Sequence, residues 1–129
     1  MLSEVIIGIG IDVVDVAELQ DIIDQQGDKY LNRVFSLNEI QYAKSGADPY
    51  QRFAARLAGK EATMKALRTG WGNDLDWHDV EVVNRDSGEP AIVLHEGAKR
   101  RAAALGVASV WVSLSHTQHV AIAEVLLDG

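Results

Sequence analysis

Three charged side chains in two stretches of the chain have the types and spacing for chemistry on phosphate. Asp12 stands in an apolar, strand-like run, and Glu61 and Lys65 stand in a long helix-forming run. Two carboxylates from separate elements suit Mg²⁺, which usually takes one or two protein carboxylates together with water and substrate phosphate oxygens. A nearby lysine would complement the phosphate charge. The residue types therefore predict magnesium-assisted chemistry on a phosphorylated small molecule.

Two further cations, Arg56 and Lys60, lie on the same helix-forming run. At about 100° per residue, Lys60 falls inside the apolar stripe of the helix, where it must reach solvent or an anion because an unpaired buried ammonium is costly. This crowding of charges predicts an anion-handling site. A plainer interpretation stays open for Glu61 and Lys65, because an i,i+4 pair in this order also occurs on ordinary solvated helices.

The helix that must position these groups is predicted over residues 52–69. Asp48 is a suitable N-cap, Pro49 suits the first helical position, and Gly70 is the expected end of the helix. Small residues, mostly alanine with Gly59, cover almost the whole side opposite the apolar stripe. Another backbone can approach such a side closely, so we expect this helix to be buried on two sides.

The strand that carries Asp12 is predicted over residues 5–14, where side chains alternate between two faces. Gly8, Gly10 and Asp12 share one face, and the other face carries Val5, Ile7, Ile9, Ile11 and Val13. Two glycines beside an aspartate leave space close to the backbone. That space suits either a ligand or a tightly packed helix, and both explanations stay open.

Local signals predict the remaining elements and the fold class. They indicate four helical segments: one between Asp15 and Gly27, one at 29–35, a short one after the capping box of Ser36 and Glu39, and one at 96–105. They also indicate two hairpins, one of strands 80–83 and 91–94 and one of strands 109–115 and 120–127. The second hairpin is apolar on both faces, so at least one of its strands is expected to be central or covered. The predicted class is α+β, with a small antiparallel sheet packed against the long helix.

Length and composition narrow the class of protein further. The chain has 129 residues, 47% of them hydrophobic, and no cysteine, which predicts one domain over residues 1–129 and excludes disulfides and thiolate chemistry. The net charge of −7 argues against nucleic acid as the main partner. We see neither a signal peptide nor an apolar run long enough to span a membrane, so we expect a cytoplasmic protein without a membrane partner.

Two loops offer further contacts for an anion. Gly70 and Gly72 belong to the loop at residues 69–77, where glycines either present N–H groups to a phosphate or simply form turns. At the turn of the second hairpin, His116 is expected to contact an anion, and it stands beside two further polar residues, Ser115 and Thr117.

Three sequence blocks resemble the holo-acyl-carrier-protein synthases, the short class of 4′-phosphopantetheinyl transferases. The blocks are GIGIDVVDV at residues 8–16, RLAGKEATMKAL at 56–67 and VSLSHT at 112–117. The W-x-D-V-E-V segment at 77–82 and the GEP turn at 88–90 are also similar to the family. The likeness spans nearly the whole chain in order and implies the fold of that family.

The resemblance implies a Mg²⁺-dependent transfer of 4′-phosphopantetheine from coenzyme A to a serine of an apo acyl carrier protein or carrier domain. Adenosine 3′,5′-bisphosphate would be the by-product, and the reaction would support fatty acid biosynthesis. By the family pattern Asp12 and Glu61 are the metal ligands, and together with Lys65 they form the catalytic group. The implied coenzyme A contacts are Arg56, Lys60, Lys65, Gly70, Gly72, Ser115, His116 and Thr117.

The resemblance also implies a homotrimer with active sites between subunits, one supplying Asp12 and the long helix and its neighbour the hairpin of His116. Docking of the carrier protein is expected to differ from many relatives, which carry an arginine near the start of the first helix. Here Glu18 stands at that position within an acidic run, so docking is expected to move towards residues 44–56.

Two other functions fit the same residues. A Mg²⁺-dependent phosphohydrolase acting on a nucleotide-like pyrophosphate would use the same charged groups to activate water instead of a protein hydroxyl. A binding module for coenzyme A or a carrier protein, without turnover, would also need cations. The presence of Asp12, Glu61 and Lys65 together argues against the module, because binding alone does not require all three.

Overall fold

The structure, a computed structural model, describes residues 5–72 and 75–129. Along these residues the elements are β1 (Ile6–Asp15), α1 (Val16–Gln26), α2 (Asp28–Val34), α3 (Leu37–Lys44), α4 (Pro49–Ala66), β2 (Val80–Asn84), β3 (Pro90–Leu94), α5 (Glu96–Leu105), β4 (Ser109–His116) and β5 (Val120–Asp128), with a 3₁₀ helix at Trp77–Asp79. Each α-helix and strand has the type that the sequence predicted, whereas the 3₁₀ helix was not predicted. Positions 1–4 of the predicted domain and positions 73–74 of the predicted loop lie outside the described residues.

Two antiparallel sheets frame the fold. β1, β5 and β4 form a three-stranded sheet in that order, so β5 is the central strand that the apolar pattern of the second hairpin predicted. β2 and β3 pair as a separate hairpin. α4 packs across the inner face of the larger sheet and also contacts β2. The predicted α+β class, with a small antiparallel sheet against a long helix, is confirmed.

β1 and α4 approach each other through two glycines. A Cβ atom at Gly8 would collide with the carbonyl oxygen of Ala66, and one at Gly10 would collide with that of Ala62. Both alanines are fully buried. Of the two explanations for the glycines, tight packing of a helix on the strand is therefore the correct one. Asp12 follows on the same face of β1, so the same contact places its carboxylate against α4.

α4 ends earlier than the sequence predicted. Its last residue is Ala66, not the residue before Gly70. Arg68 adopts a left-handed φ of 56°, and the Thr69 N–H donates to the Met64 carbonyl oxygen at 3.3 Å, which is the bonding of a Schellman-type helix end. The prediction of Gly70 as the stop was wrong because an arginine here takes the backbone conformation that glycine usually supplies.

The outer face of the three-stranded sheet is apolar and open. Strand alternation places Ile9, Ile11 and Val13 on this face, where each has more than half of its surface exposed. Ile122 of β5 lies opposite Val13, and Trp111 of β4 is 60% exposed on the same face. Among the described residues nothing covers this surface.

α4 contributes buried residues to both apolar clusters of the fold. This agrees with the prediction that the helix is buried on two sides, its small-residue side and its apolar stripe. One cluster joins it to α1, α2 and α3, and the other joins it to α5 and β5. The predicted caps are present, since Asp15 accepts the Glu18 N–H at 2.9 Å and Ser36 and Glu39 form a reciprocal capping box. In the part of the chain that the structure describes, no helix has the length and apolarity to cross a membrane.

We expect Gly10→Ala to lower the free energy of unfolding by about 3 kcal/mol, because the added methyl group cannot fit without displacing α4 from the sheet. Urea-induced unfolding measures this loss. Gly70→Ala is the matched control. Apart from the neighbours of Gly70 in the chain, no atom lies within 4 Å of the added methyl group, and the φ of Gly70 is not positive. Its free energy of unfolding should change by less than about 0.5 kcal/mol. Equal losses in the two variants would contradict the close approach of β1 and α4.

Candidate functional site

Asp12, Glu61 and Lys65 form one cluster where β1 meets α4. The Lys65 ammonium donates to Asp12 Oδ1 at 2.8 Å and to the Ile11 carbonyl oxygen at 3.1 Å. The Asp12 side chain is mostly shielded, whereas about half of the Lys65 side chain is exposed. Glu61 lies one turn before Lys65 on α4 and interacts electrostatically with both. The structure thus brings together the three residues predicted to do chemistry.

The surroundings of Glu61 disfavour its negative charge. Partial burial raises its pKa and the Asp12 carboxylate raises it further, while the Trp71 indole and the Lys65 ammonium oppose the rise. A pair of mutually repelling carboxylates is a suitable donor set for a hard divalent cation. No cluster of three or more candidate metal-ligating residues occurs within residues 5–72 and 75–129. The pair therefore fits Mg²⁺, which completes its shell with water and phosphate oxygens, better than a closed zinc site.

Arg56 and His116 line a cavity of about 320 Å³ that lies between α4 and the β2–β3 hairpin. Arg56 is buried, and its Nη2 donates to Asn84 Oδ1. Its Nε has no hydrogen-bond partner among the described residues. Because burial leaves its charge poorly solvated, the pKa of Arg56 is lowered. A buried guanidinium with unused donors indicates that an anion is the missing partner.

The two clusters lie on opposite flanks of α4. Arg56 and Glu61 are five positions apart, which at about 100° per residue places them about 140° apart around the helix. Asp12 belongs to β1 and His116 to β4, which are the two edge strands of the three-stranded sheet. Within one chain, α4 therefore stands between the carboxylate cluster and the Arg56 cavity.

Lys60 belongs to neither cluster. It is fully buried, its ammonium pairs with Glu39 Oε1 at 2.9 Å, and the carbonyl oxygens of Trp77, at 3.0 Å, and Val80 also accept from it. The three donors of the ammonium group are thus all used inside the fold. The expectation that Lys60 contacts coenzyme A is wrong for this reason. The anion that Lys60 needs within the apolar stripe is Glu39.

Glu39 is the residue of this region that sequence reasoning did not identify beyond its capping role. It is buried, and its carboxylate also accepts the backbone N–H groups of Ser36 and Val82, each at 2.8 Å. Burial lowers the pKa of Lys60, and the Glu39 carboxylate opposes that shift. The position of Lys60 showed that an acidic partner was required. That position alone could not show which of the nineteen acidic residues is the partner.

The loop after α4 lies beside Glu61, because the Trp71 indole is close enough to lower the pKa of that carboxyl, although its buried Nε1 makes no hydrogen bond among the described residues. Gly72 has a φ of 96°, and its N–H donates to the Leu75 carbonyl oxygen at 2.9 Å. Turn formation therefore accounts for Gly72, and its N–H is not free for a phosphate in this conformation. Gly70 has open space around it and no positive φ. The structure places both glycines near the carboxylate cluster.

The turn of the β4–β5 hairpin separates the three polar residues predicted there. His116 shares the inner face of β4 and lines the cavity, whereas Ser115 lies on the outer face by strand alternation. Thr117 Oγ1 accepts the N–H groups of His119 and Val120, both at 3.1 Å, and so closes the turn. Its hydroxyl proton can still be donated to a ligand. The structure thus brings His116, but not Ser115, to Arg56.

The chain is similar to one protein family over most of its length. Residues 8–123 match the model of the 4′-phosphopantetheinyl transferase superfamily. The holo-[acyl-carrier-protein] synthase of Solibacter usitatus is 40% identical over 124 residues, which cover 96% of this chain and 99% of that protein.

Two solved structures extend the likeness to the fold. The crystal structure of Helicobacter pylori holo-[acyl-carrier-protein] synthase in complex with coenzyme A is 32% identical, covers 92% of this chain and 98% of its own, and has a TM-score of 0.81. The Bacillus anthracis holo-(acyl-carrier-protein) synthase in complex with CoA (3′,5′-ADP) is also 32% identical. It covers 96% of this chain and 97% of its own, and it has a TM-score of 0.78.

We expect Lys60→Met to lower the free energy of unfolding by about 3–5 kcal/mol, because it leaves the Glu39 carboxylate buried without its cation. Lys65→Met is the matched control at a partly exposed ion pair, and its effect on stability should stay below about 1 kcal/mol. Urea unfolding of both variants measures the difference. Adding Glu39→Gln to Lys60→Met should recover part of the loss. Equal stability of the two single variants would show that Lys60 is solvated and free for a ligand.

Proposed function

Because the chain belongs to the 4′-phosphopantetheinyl transferase superfamily, we propose that it transfers 4′-phosphopantetheine from coenzyme A to a serine hydroxyl of an apo acyl carrier protein. The observation that carries the proposal is the grouping of Asp12, Glu61 and Lys65 in the fold of the holo-acyl-carrier-protein synthases. Binding of coenzyme A alone does not require two carboxylates and a lysine at one point.

The reaction exchanges one phosphorus–oxygen bond for another. The serine oxygen forms a bond to the phosphorus atom next to pantetheine, the pyrophosphate bond breaks, and adenosine 3′,5′-bisphosphate leaves. The serine proton passes to the Glu61 carboxylate or to water. Transfers of this kind depend mainly on positioning and on neutralising charge. The role of the site is therefore to hold the pyrophosphate and the serine together with compensating cations around them.

Asp12 and Glu61 would hold Mg²⁺, which supplies charge neutralisation at the pyrophosphate when it is bound. Lys65 complements the same charge from α4, where its exposed ammonium lies beside Asp12. Gly70 and Gly72 shape the loop beside this cluster. Arg56 and His116 bind the 3′-phosphate at the cavity, and Thr117 supports them with its hydroxyl donor.

The active form is a homotrimer in which each site lies between two subunits. Two observations support this assembly. The outer face of the three-stranded sheet exposes Ile9, Ile11, Val13 and Trp111, and burial of such apolar surface favours association. The Asp12 cluster and the His116 cavity are separated by α4 within one chain, so a neighbouring subunit can supply the second half of each site, with Ser115 on the outer face at the contact.

The carrier protein docks on the basic side of the molecule. Along α1, Glu18, Asp21 and Asp24 make an acidic and exposed surface, which would repel an acidic carrier. Basic groups lie instead within residues 44–56, at Lys44, Arg52 and Arg56, and the two arginines line the cavity. We place the reaction in fatty acid biosynthesis in the cytoplasm.

Intact-mass measurement tests the reaction. An apo acyl carrier protein incubated with this protein, coenzyme A and Mg²⁺ should gain the mass of one phosphopantetheine, and a chelator should prevent the gain. Glu61→Ala should reduce the transfer by at least about a thousandfold while the thermal unfolding of the protein stays cooperative, because the metal loses one of two carboxylates. Consumption of coenzyme A without a mass gain would indicate a hydrolase instead. Full activity of Glu61→Ala would contradict the metal assignment.

Subunit complementation tests the assembly. Asp12→Asn and His116→Ala should each be nearly inactive, because each removes one half of every site. After subunit exchange in an equal mixture, about a quarter of the sites in a symmetric trimer should combine two intact halves, so about a quarter of wild-type activity should return. Sedimentation confirms the trimer in parallel. Absence of recovery in mixed trimers would place both halves in the same subunit.

A further inference from the structure

The ring of Tyr42, on α3, is in contact with two arginine side chains. The guanidinium carbon of Arg52 is 4.2 Å from the centre of the ring, and that of Arg56 is 4.0 Å from it. Both distances are within the range of cation–π attraction. All three residues line the cavity of about 320 Å³ that also contains His116. The aromatic ring therefore keeps two like charges next to each other at one cavity.

Further contacts fix the two guanidinium groups. Arg52 Nη1 donates to the Tyr42 carbonyl oxygen at 2.8 Å and to Ser45 Oγ at 3.1 Å, which holds Arg52 against the end of α3. Arg56 has a different anchor, because its Nη2 donates to Asn84 Oδ1 of β2. Arg56 thus has two constraints, the ring of Tyr42 and the Asn84 amide, while its buried Nε has no hydrogen-bond partner among the described residues.

The charges at this cavity lack a carboxylate partner. Within the described residues, neither Arg52 nor Arg56 has an acidic side chain at ion-pair distance, and Arg56 Nε has no hydrogen-bond partner. The nearby Glu39 is already committed to Lys60. Two adjacent cations without a carboxylate partner favour an anion that carries more than one negative charge.

We propose that Tyr42 is a positioning residue for a phosphate monoester, because its ring and the Asn84 amide together fix the Arg56 guanidinium at the wall of the cavity. Arg52 adds a second positive charge at the same ring. This inference rests on the proposed function, in which the monoester is the 3′-phosphate of coenzyme A. Tyr42 acts through Arg56 and does not itself need to contact the ligand.

Calorimetric titration with coenzyme A and with 3′-dephospho-coenzyme A separates this role from a structural one. Wild type should bind coenzyme A more tightly, because only that ligand carries the monoester. Tyr42→Leu removes the ring and should weaken the binding of coenzyme A about tenfold, with little change for the dephospho compound. Tyr42→Phe keeps the ring and should restore affinity for coenzyme A to within about twofold of wild type.

The two ligands make the outcomes distinguishable. A Tyr42→Leu variant that still prefers coenzyme A as strongly as wild type would overturn the role of Tyr42, as would an equal loss of affinity for both ligands. Unchanged affinity for the dephospho compound shows that the variant is folded. If wild type bound neither ligand, the proposed function itself would fail. If wild type bound both ligands equally, the cavity would not be a binding site for the monoester.

Discussion

The contact between β1 and α4 is the constraint on which the rest of the structure depends. Gly8 and Gly10 have no side chains, and the buried Ala62 and Ala66 oppose them, so the strand and helix backbones come nearly into contact. No larger residue fits at either glycine. The same approach brings Asp12 within hydrogen-bond distance of Lys65, at 2.8 Å. The charged cluster is therefore a consequence of how small residues allow two backbones to pack.

A buried ion pair supplies the second constraint. Lys60 joins α4 to α3 through Glu39 and to the β2 side through the carbonyl oxygens of Trp77 and Val80. Such a pair adds little net stability, because desolvation offsets most of the attraction, but it tolerates few alternative arrangements. It lies one turn after Arg56 on α4. The pair thereby helps to hold Arg56 at the cavity between α4 and the β2–β3 hairpin.

One helix serves both halves of the site on opposite flanks. Glu61 and Lys65 face β1, and Arg56 faces the cavity with His116. A helix cannot bring side chains about 140° apart to the same small ligand, so the separation must be bridged by a long ligand or by a second subunit. Under the proposed function both apply, since coenzyme A is extended and the apolar outer face of the sheet is open for association.

The sequence alone determined the elements whose signals are local. Capping residues and hydrophobic periodicity identified α1, α3 and both hairpins, because these patterns act over a few neighbouring positions. Asp12 was grouped with Glu61 and Lys65 from the chemistry of their side chains and from the family resemblance, since no local pattern joins positions so far apart in the chain. Tertiary structure alone decided which groups meet. It buried Lys60 against Glu39, turned Ser115 away from His116, and ended α4 at Ala66. Partners distant in the chain are selected by packing in three dimensions, which local patterns do not encode.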